Sequence, residues 1–248
     1  MKLPDDVLKY EQTYQDLMLF FSKQTIRVRK YTTKEVRQYL NATATTDSEW
    51  VRNSETFKLF KTCVHPDDQD VIETICKGDF VHAISYLRSI SYDPTIDRAH
   101  NCPNCGWSLD AYQLHILQNI KFDPEVPEIR SEFIMEDGNK IIFKPIPYRI
   151  ELDIIKNKSE MDFVEIAHEL LYNSVDTMVI SGVVYECIDI DSIKEYIDNK
   201  LSISDYTKML DFVTGKKLIF YIQEDLVCPN CNHEYVIRVD EPYFFVQV

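Results

Sequence analysis

The chain has 248 residues, of which 45 % are hydrophobic and 12 % are aromatic, and its formal net charge is −14. This apolar content is enough to bury a core, which excludes a disordered protein. A negative field repels phosphate backbones, so nucleic acid is not expected as the main partner. No apolar run approaches the ~18 residues that a membrane-spanning helix needs, and the first residues lack the pattern of a secretion signal. We therefore expect a globular protein that stays in a cytoplasm.

Glycine is scarce, because the chain has only five glycines and they lie far apart. Loops that bind phosphate need two or three glycines within a few residues, so that backbone N–H groups can converge on the anion. Neither a Walker loop nor a dinucleotide-binding fingerprint is present. The sequence therefore argues against a nucleotide-dependent enzyme.

The first half of the chain opens with a short alternating strand at residues 25–31. It lies in the densest basic stretch, residues 23–37, and the alternation predicts that the basic side chains form the solvent face of the strand. A Thr-Lys-Glu sequence at residues 33–35 then indicates a helix start. Helices predicted from apolar residues at three- and four-residue spacing follow at 57–64, 71–75 and 81–90.

The second half follows the same plan. A turn at residues 137–139 precedes a strand at 140–145, which together indicate a hairpin, and an acidic helix start follows at Glu151. The same tetrapeptide, Cys-Pro-Asn-Cys, follows the last predicted helix of each half, at residues 102–105 and 228–231. The helices predicted between the hairpin and the second tetrapeptide include residues 163–171, 189–197 and 206–213.

The repeated order predicts an internal duplication. We expect an α+β fold of short β-hairpins plus helices, in which two similar halves pack about a pseudo-twofold axis and are joined by a shared four-cysteine zinc site. The first half spans residues 1–120, a polar linker broken by two prolines spans 121–132, and the second half spans 133–248. The metal ion would then hold one half against the other.

Four of the seven cysteines are the candidate metal ligands: Cys102, Cys105, Cys228 and Cys231. A Cys-x2-Cys turn presents two thiolates to one centre, and two such turns complete a tetrahedral site, which predicts one structural Zn²⁺. The proline and the turn-forming asparagine between the ligands suit such a knuckle. Knuckles of a small zinc ribbon are ~15–20 residues apart, so this ion would clamp more distant parts of the chain. Two redox pairs or unmetallated thiols are the alternatives.

Further histidines and cysteines are weaker candidates. His100 and His233 flank the two pairs and could replace a thiolate, but four cysteines already complete the site, so both histidines are predicted to be surface residues. Cys63, Cys76 and Cys187 have apolar neighbours. They are predicted to be small core residues.

No catalytic constellation is apparent. Residues 168–172, His-Glu-Leu-Leu-Tyr, resemble the beginning of a zincin helix, but tyrosine occupies the position of the second histidine. The Gly-x-Ser-x-Gly elbow of hydrolases is missing. Paired aspartates at residues 67–68 and 189–191 fall at predicted helix starts, where capping explains them. We expect no catalytic residue and no enzymatic activity.

Several short motifs together resemble a known family. They are an Arg-Lys-Tyr-Thr-Thr-Lys-Glu sequence at residues 29–35, an Ile-Ser-Tyr-Asp-Pro sequence at 90–94, the two Cys-Pro-Asn-Cys knuckles, and Glu-Pro-Tyr-Phe-Phe at 241–245. Across residues 20–246 this order resembles the baseplate-hub assembly proteins of T-even-like tailed bacteriophages.

The resemblance implies a late protein of virion assembly, a chaperone or assembly factor that helps to build the hub of a contractile tail. The partners it implies are other baseplate hub proteins of the phage, with no nucleic acid and no membrane-spanning segment. The expected location is the host cytoplasm during assembly, or the virion. A structural hub component retained in the virion is one alternative. A zinc-dependent nucleic-acid-binding module is another, but the charge of −14 does not provide its basic surface.

The last residues, 243–248, are mostly aromatic or β-branched. An exposed apolar ending usually indicates an interaction site. We expect this segment either to complete a sheet edge of the second half or to be offered to a hub partner as an added strand.

Overall fold

The computed structural model of the protein describes residues 13–44, 46, 48–122, 131–157, 163–186, 188–214 and 220–240. They form helices and small antiparallel sheets, which confirms the mixed α and β composition of the fold. The elements up to the middle of the chain are β1 (Gln15–Met18), β2 (Thr25–Val28), α1 (Thr33–Thr43), α2 (Glu49–Cys63), a 3₁₀ helix (Pro66–Asp68), α3 (Gln69–Thr74), α4 (Lys77–Ser91), β3 (Thr95–Asn101), β4 (Ser108–His115), α5 (Ile116–Asn119) and β5 (Ile120–Phe122). Those that follow are β6 (Ser131–Ile134), β7 (Lys140–Phe143), α6 (Tyr148–Asn157), α7 (Phe163–Ser174), β8 (Val175–Ile180), β9 (Val183–Glu186), α8 (Ile190–Lys200), α9 (Ile203–Thr214), β10 (Phe220–Val227) and β11 (Glu234–Asp240). Within the described residues, no helix has the length and apolar character needed to cross a membrane.

The strand β2 is shorter than predicted and ends before Arg29. Its apolar residues Ile26 and Val28 are buried, and so is Arg29. The Arg29 guanidinium donates to the Glu35 carboxylate at 2.7 and 3.0 Å and to Thr62 O at 2.7 Å. The prediction of a solvated basic face is therefore wrong at Arg29. A planar guanidinium can be buried when its donors meet a carboxylate and carbonyl groups in the correct geometry.

The helix α1 begins where the Thr-Lys-Glu sequence predicted a helix start. Thr32 is the N-cap: its hydroxyl accepts a hydrogen bond from the Glu35 N–H, while the Glu35 carboxylate accepts one from the Thr32 N–H. This reciprocal arrangement is a capping box, which satisfies two of the backbone donors at the helix start. Because the same carboxylate binds Arg29, one side chain both begins α1 and links it to the end of β2.

The second half builds a four-stranded antiparallel sheet in the order β6–β7–β8–β9. The turn predicted at residues 137–139 joins β6 to β7, and Gly138 adopts φ +83° there, a conformation that is strained for residues with a side chain. Ile141 and Phe143 alternate along β7 on the buried face. The helices α7, α8 and α9 supply the other side of this core.

The turns of the two opening hairpins are both held by a buried aspartate from a later helix. Asp79, in the first turn of α4, accepts hydrogen bonds from the N–H groups of Phe21 (2.6 Å) and Ser22 (3.1 Å). Asp205, in the first turn of α9, accepts one from the N–H of Glu136 (3.1 Å). The exposed fractions of Asp79 and Asp205 are 0 % and 5 %. Each carboxylate thus ties a hairpin turn to a helix of the same half.

In each half, the second strand of the opening hairpin also forms a β-bridge with the residue that follows the second helix. Val28 forms an antiparallel bridge with Val64, directly after α2, and Phe143 pairs with Val175, directly after α7. Beyond this point the halves differ. The second half adds β8 and β9, whereas the first half continues into the 3₁₀ helix Pro66–Asp68.

The two halves share one of the two hydrophobic cores. The first core contains residues of β1, β2, α2, α3 and α4 together with Tyr148 and Leu152 of α6 and Ile222 of β10. Tyr148 stacks on Phe80, with ring centroids 4.4 Å apart and an interplanar angle of 19°. Full burial of an apolar side chain contributes ~1.5–3 kcal/mol. The first helix of the second half therefore helps to stabilise the core of the first half.

The strand β5 also crosses between the halves. It forms the edge of a three-stranded sheet in the order β11–β10–β5, in which Lys121 pairs with Tyr221. The predicted linker, 121–132, thus begins in β5 and ends in β6, while residues 123–130 lie outside the described residues. The predicted division of the chain into two halves and a linker stays a prediction.

Candidate metal centre

The first knuckle joins β3 to β4. The Cys102 N–H donates to Trp107 O at 2.9 Å, and the Gly106 N–H donates to Cys102 O at 2.9 Å. Gly106 has φ +70°, a left-handed conformation that glycine adopts without a steric penalty. The chain can therefore turn back into β4 directly after the second ligand. Cys102 is buried in this turn and Cys105 is exposed.

The second knuckle joins β10 to β11 with the same two hydrogen bonds. The Cys228 N–H donates to His233 O at 2.9 Å, and the Asn232 N–H donates to Cys228 O at 2.8 Å. Asn232 has φ +57°, and asparagine tolerates this region better than most residues with a side chain. The position after the second cysteine is left-handed in both knuckles, which explains why it holds Gly106 in one and Asn232 in the other.

The two knuckles bring the sulfur atoms of all four candidate ligands together. Cys102 Sγ lies 3.8 Å from Cys231 Sγ, and Cys105 Sγ lies 3.6 Å from Cys228 Sγ. All four sulfur atoms lie within 4.8 Å of one another. Thiolates arranged as a tetrahedron around an ion with metal–sulfur distances of ~2.3 Å would be ~3.8 Å apart, whereas a disulfide needs ~2.05 Å. The four cysteines could therefore hold one metal ion.

The asparagine of each knuckle contacts a sulfur atom of the other knuckle. Asn104 Nδ2 donates to Cys231 Sγ at 3.6 Å, and Asn230 Nδ2 donates to Cys105 Sγ at 3.5 Å. A donor at this position favours the thiolate form that a metal ligand requires. From the sequence, these asparagines were expected only to form the turn. The signal that could have found them is the identity of the two tetrapeptides, because a turn alone does not require the same residue twice.

The thiols differ in how easily they lose a proton. The hydrogen bond from Asn230 lowers the pKa of Cys105 to about 6, so this sulfur is ionised at neutral pH. Burial raises the pKa of Cys228 to about 11, so this thiol keeps its proton in the absence of a neighbouring cation. A bound metal ion would deprotonate it, because coordinated thiols ionise outright. The site is therefore chemically suited to a cation.

The family model described as T4 bacteriophage base plate protein matches residues 13–245 of the chain. The chain belongs to this family. The match confirms the resemblance to T4-like phage baseplate proteins, and the matched range contains both knuckles. No curated protein and no solved structure is significantly similar to the chain.

One of the two flanking histidines of this base plate protein is less exposed than predicted. The ring of His100 stacks on Tyr235 with centroids 5.1 Å apart, and Tyr235 also stacks on His233 at 6.3 Å. His100 is half-buried, and its Nε2 atom has no hydrogen-bond partner among the described residues. His233 is exposed, as predicted. His100 is covered because β3 and β11 bring its ring against Tyr235, which the sequence did not reveal.

The remaining candidates lie apart from the four-cysteine cluster. Cys63 is buried in the first core, as predicted, whereas Cys76 is only half-buried and belongs to neither core. Burial raises the pKa of both thiols to about 11, which disfavours the reactive thiolate. Cys187 lies outside the described residues. His168, at the start of the zincin-like sequence, is half-buried, and its Nε2 atom forms a hydrogen bond with the Tyr206 hydroxyl. This contact links α7 to α9.

Proposed function

We propose that this base plate protein is a non-enzymatic assembly factor for the central hub of the phage baseplate. The observation that carries the proposal is the family match, which covers residues 13–245 and therefore almost the whole chain. The more specific role, an assembly factor for the hub, is proposed from the sequence resemblance to hub assembly proteins. A four-thiolate ion has no open position for water or substrate, which supports a structural rather than a catalytic use of the cluster.

We propose Zn²⁺ as the ion. Thiolate ligands select zinc, copper(I) and iron–sulfur clusters, and a single tetrahedral site made of four cysteines is typical of structural zinc. The sulfur separations of 3.6 and 3.8 Å fit this ion. When bound, zinc would be coordinated by two cysteines from the β3–β4 hairpin and two from the β10–β11 hairpin, and would thus cross-link the two hairpins. Such a link would stabilise the pairing of the two halves more than the core of either half.

We also infer that the two halves arose by duplication. Three repeated features support it: a hairpin turn bonded to a buried aspartate (Asp79 or Asp205), a strand end that pairs with the residue after the second helix, and a knuckle with the same two backbone hydrogen bonds. The β8–β9 hairpin and the packing of α6 on the first core are differences between the halves.

Partners of the protein are proposed to be other hub proteins of the same phage, met in the host cytoplasm during assembly. The charge of −14 favours protein surfaces over nucleic acid, whose phosphates it would repel. A second candidate function is a structural role in the finished baseplate. The description of the family as a base plate protein favours it, because it names the particle and not the assembly process.

The test is a phage with an early stop codon in this gene, grown with and without the protein supplied from a plasmid. We expect infected cells without the protein to accumulate baseplate parts that lack the hub, and the plasmid to restore complete baseplates. Complete hubs in the absence of the protein would contradict the proposal. Mass spectrometry of purified tails separates the two candidates: an assembly factor is missing from them, whereas a structural component is present at a fixed copy number.

The non-enzymatic part of the proposal has its own test. The purified hub proteins are incubated with and without this protein, and their intact masses and the amount of assembled hub are measured. We expect more assembled hub with unchanged masses. A covalent change in any hub protein that depends on this protein would overturn it.

A further inference from the structure

The outer strand β9 (Val183–Glu186) exposes an apolar surface that the fold does not explain. The exposed fractions of Val183, Val184 and Tyr185 are 52 %, 57 % and 47 %, and all four residues of β9 are exposed. Outer strands usually carry lysine, proline or a β-bulge, which prevent pairing with another chain. β9 contains no lysine or proline, and its regular pairing with β8 excludes a bulge; its one charged residue is Glu186, at the end of the strand.

The backbone of β9 is oriented for pairing. The turn between β8 and β9 has two residues, Ser181 and Gly182, both with positive φ (51° and 79°), as in the common two-residue hairpin turns. The residues that flank such a turn, Ile180 and Val183, exchange backbone hydrogen bonds. Because the direction of these bonds alternates along an antiparallel pair, the N–H and C=O groups of Val184 point away from β8.

Near the knuckles, β10 and the first residue of β3 have partners on both sides, in contrast to β9. β5 covers one side of β10. At β3, the Thr95 N–H donates to Asp93 Oδ1 at 2.7 Å, and Thr95 O accepts from Arg88 Nη1 at 3.2 Å. The backbone groups of Thr95 are therefore already satisfied by side chains, whereas β9 is the outer strand of its sheet among the described residues and pairs only with β8.

β9 is also an addition that the core does not need. The first half has no hairpin at this place, since the chain passes from Val64 into the 3₁₀ helix. In the second half, β8 contributes buried residues such as Val175 and Met178, but β9 contributes none. A strand that adds exposed apolar area and no core residue is best explained by a contact with another molecule.

We propose that β9 is a docking edge to which a partner protein adds an extended segment with apolar side chains and a lysine or arginine next to Glu186. Backbone hydrogen bonds to Val184 would provide affinity, and alternate side chains would provide specificity. Charge complementarity selects this occupant. Glu186 is exposed at the end of the strand, and a second copy of the chain would bring another net charge of −14.

The test uses the full chain and two synthetic peptides: a six-residue alternating valine–threonine peptide with one central lysine, and its twin with glutamate in place of the lysine. Each purified hub protein of the same phage is a further probe. The key variant is Val184→Pro, which removes an outward N–H but no hydrogen bond to β8. Its matched control is Val236→Pro on β11, an outer strand on which this valine is 50 % exposed. Glu186→Lys changes the charge and leaves the backbone unchanged.

We expect the lysine peptide to bind more tightly than its twin. Val184→Pro should weaken this binding about tenfold, the effect of one backbone hydrogen bond and its neighbours, while Val236→Pro should not change it. Glu186→Lys should reverse the preference between the peptides. Unchanged thermal stability and metal content would show that the variants are folded.

Three results would overturn the proposal: equal binding of both peptides, equal effects of the two proline variants, or a dimer by light scattering that Val184→Pro converts to a monomer, which would make the occupant a second copy. The peptide experiment is independent of the proposed role in hub assembly. If the peptides bind as expected but no hub protein is sensitive to Val184→Pro, the docking edge stands and the choice of hub partners fails.

Discussion

Asn104 in the first knuckle donates a hydrogen bond to the sulfur of Cys231 in the second, over 3.6 Å. The second knuckle returns the contact, from Asn230 to Cys105 at 3.5 Å. Each knuckle therefore supports the second cysteine of the other through a side-chain hydrogen bond. This exchange couples the two halves of the chain. If one knuckle moves away, the site loses two candidate ligands, and a cysteine of the other knuckle also loses its hydrogen bond from asparagine.

The crossed hydrogen bonds predict a loss of metal affinity when either asparagine is removed. Asn104→Ala and Asn230→Ala should each weaken zinc binding by ~10–100-fold, the usual effect of deleting a partner of a ligand. Transfer of zinc to a chromophoric chelator measures the affinity. Asn199→Ala is the control, because this asparagine is exposed on α8 and its amide donates to Glu195 O of its own helix. Equal zinc affinities in all three variants would show that the side-chain amides of Asn104 and Asn230 stabilise the turns and do not contribute to metal binding.

The cysteine cluster predicts one zinc ion per chain. Metal analysis of the purified protein should give a 1:1 ratio, and Cys228→Ser should abolish it. Structural zinc contributes ~10–16 kcal/mol of apparent binding free energy in small peptides. Here each half also has a core, so the variant should separate the two knuckle hairpins before either half unfolds. Hydrogen exchange of β3, β4, β10 and β11 measures that separation.

The matched control is Cys76→Ser, which changes a cysteine outside the cluster. It should leave the metal content at one ion per chain. A wild-type protein that contains no metal after preparation without chelators would contradict the prediction, and redox pairs or unmetallated thiols would then be the remaining interpretations of the twin tetrapeptides.

Much of the site could be predicted from the sequence, but the contacts between distant residues could not. Two identical Cys-Pro-Asn-Cys turns give the candidate ligand set, because the chemistry of thiolates and the spacing within each turn are local. The partner of Asn104 depends on how β3–β4 meets β10–β11, which no local pattern encodes. The same limit explains the error at Arg29. Its alternating neighbours indicate a strand face, but Glu35 and Thr62 O, which allow its burial, are brought to it by α1 and α2.

The buried aspartates predict matched losses of stability in the two halves. Asp79→Ala and Asp205→Ala should each reduce the free energy of unfolding by ~1–3 kcal/mol, because backbone donors in a hairpin turn lose their acceptor. Urea denaturation measures the effect. Asp70→Ala, at an exposed position of α3, is the control and should change the stability by less than ~0.5 kcal/mol. If Asp79→Ala and Asp205→Ala behave like the control, the turns are held by other contacts.

The ion pair between Arg29 and Glu35 predicts a specific pH dependence. Burial alone would raise the pKa of Glu35, but the hydrogen bonds from Arg29 and Thr32 outweigh it and hold the pKa below its usual value. A carboxyl group whose pKa is lower in the folded state stabilises the protein above the pKa of the unfolded chain, ~4.3. This stabilisation is lost as the pH falls through the folded-state pKa.

Glu35→Gln should therefore destabilise the protein by ~1–3 kcal/mol at pH 7, because Arg29 keeps its buried charge and loses its carboxylate. The difference from the wild type should shrink below pH ~4. Urea denaturation at pH 7, 5, 4 and 3 measures it, and comparing the two proteins cancels the loss of metal that acid causes in both. Glu55→Gln, which affects an exposed pair with Lys58, should change little at any pH. A difference between Glu35→Gln and the wild type that stays constant from pH 7 to 3 would mean that the capping of α1, and not the charge on Glu35, sets its contribution.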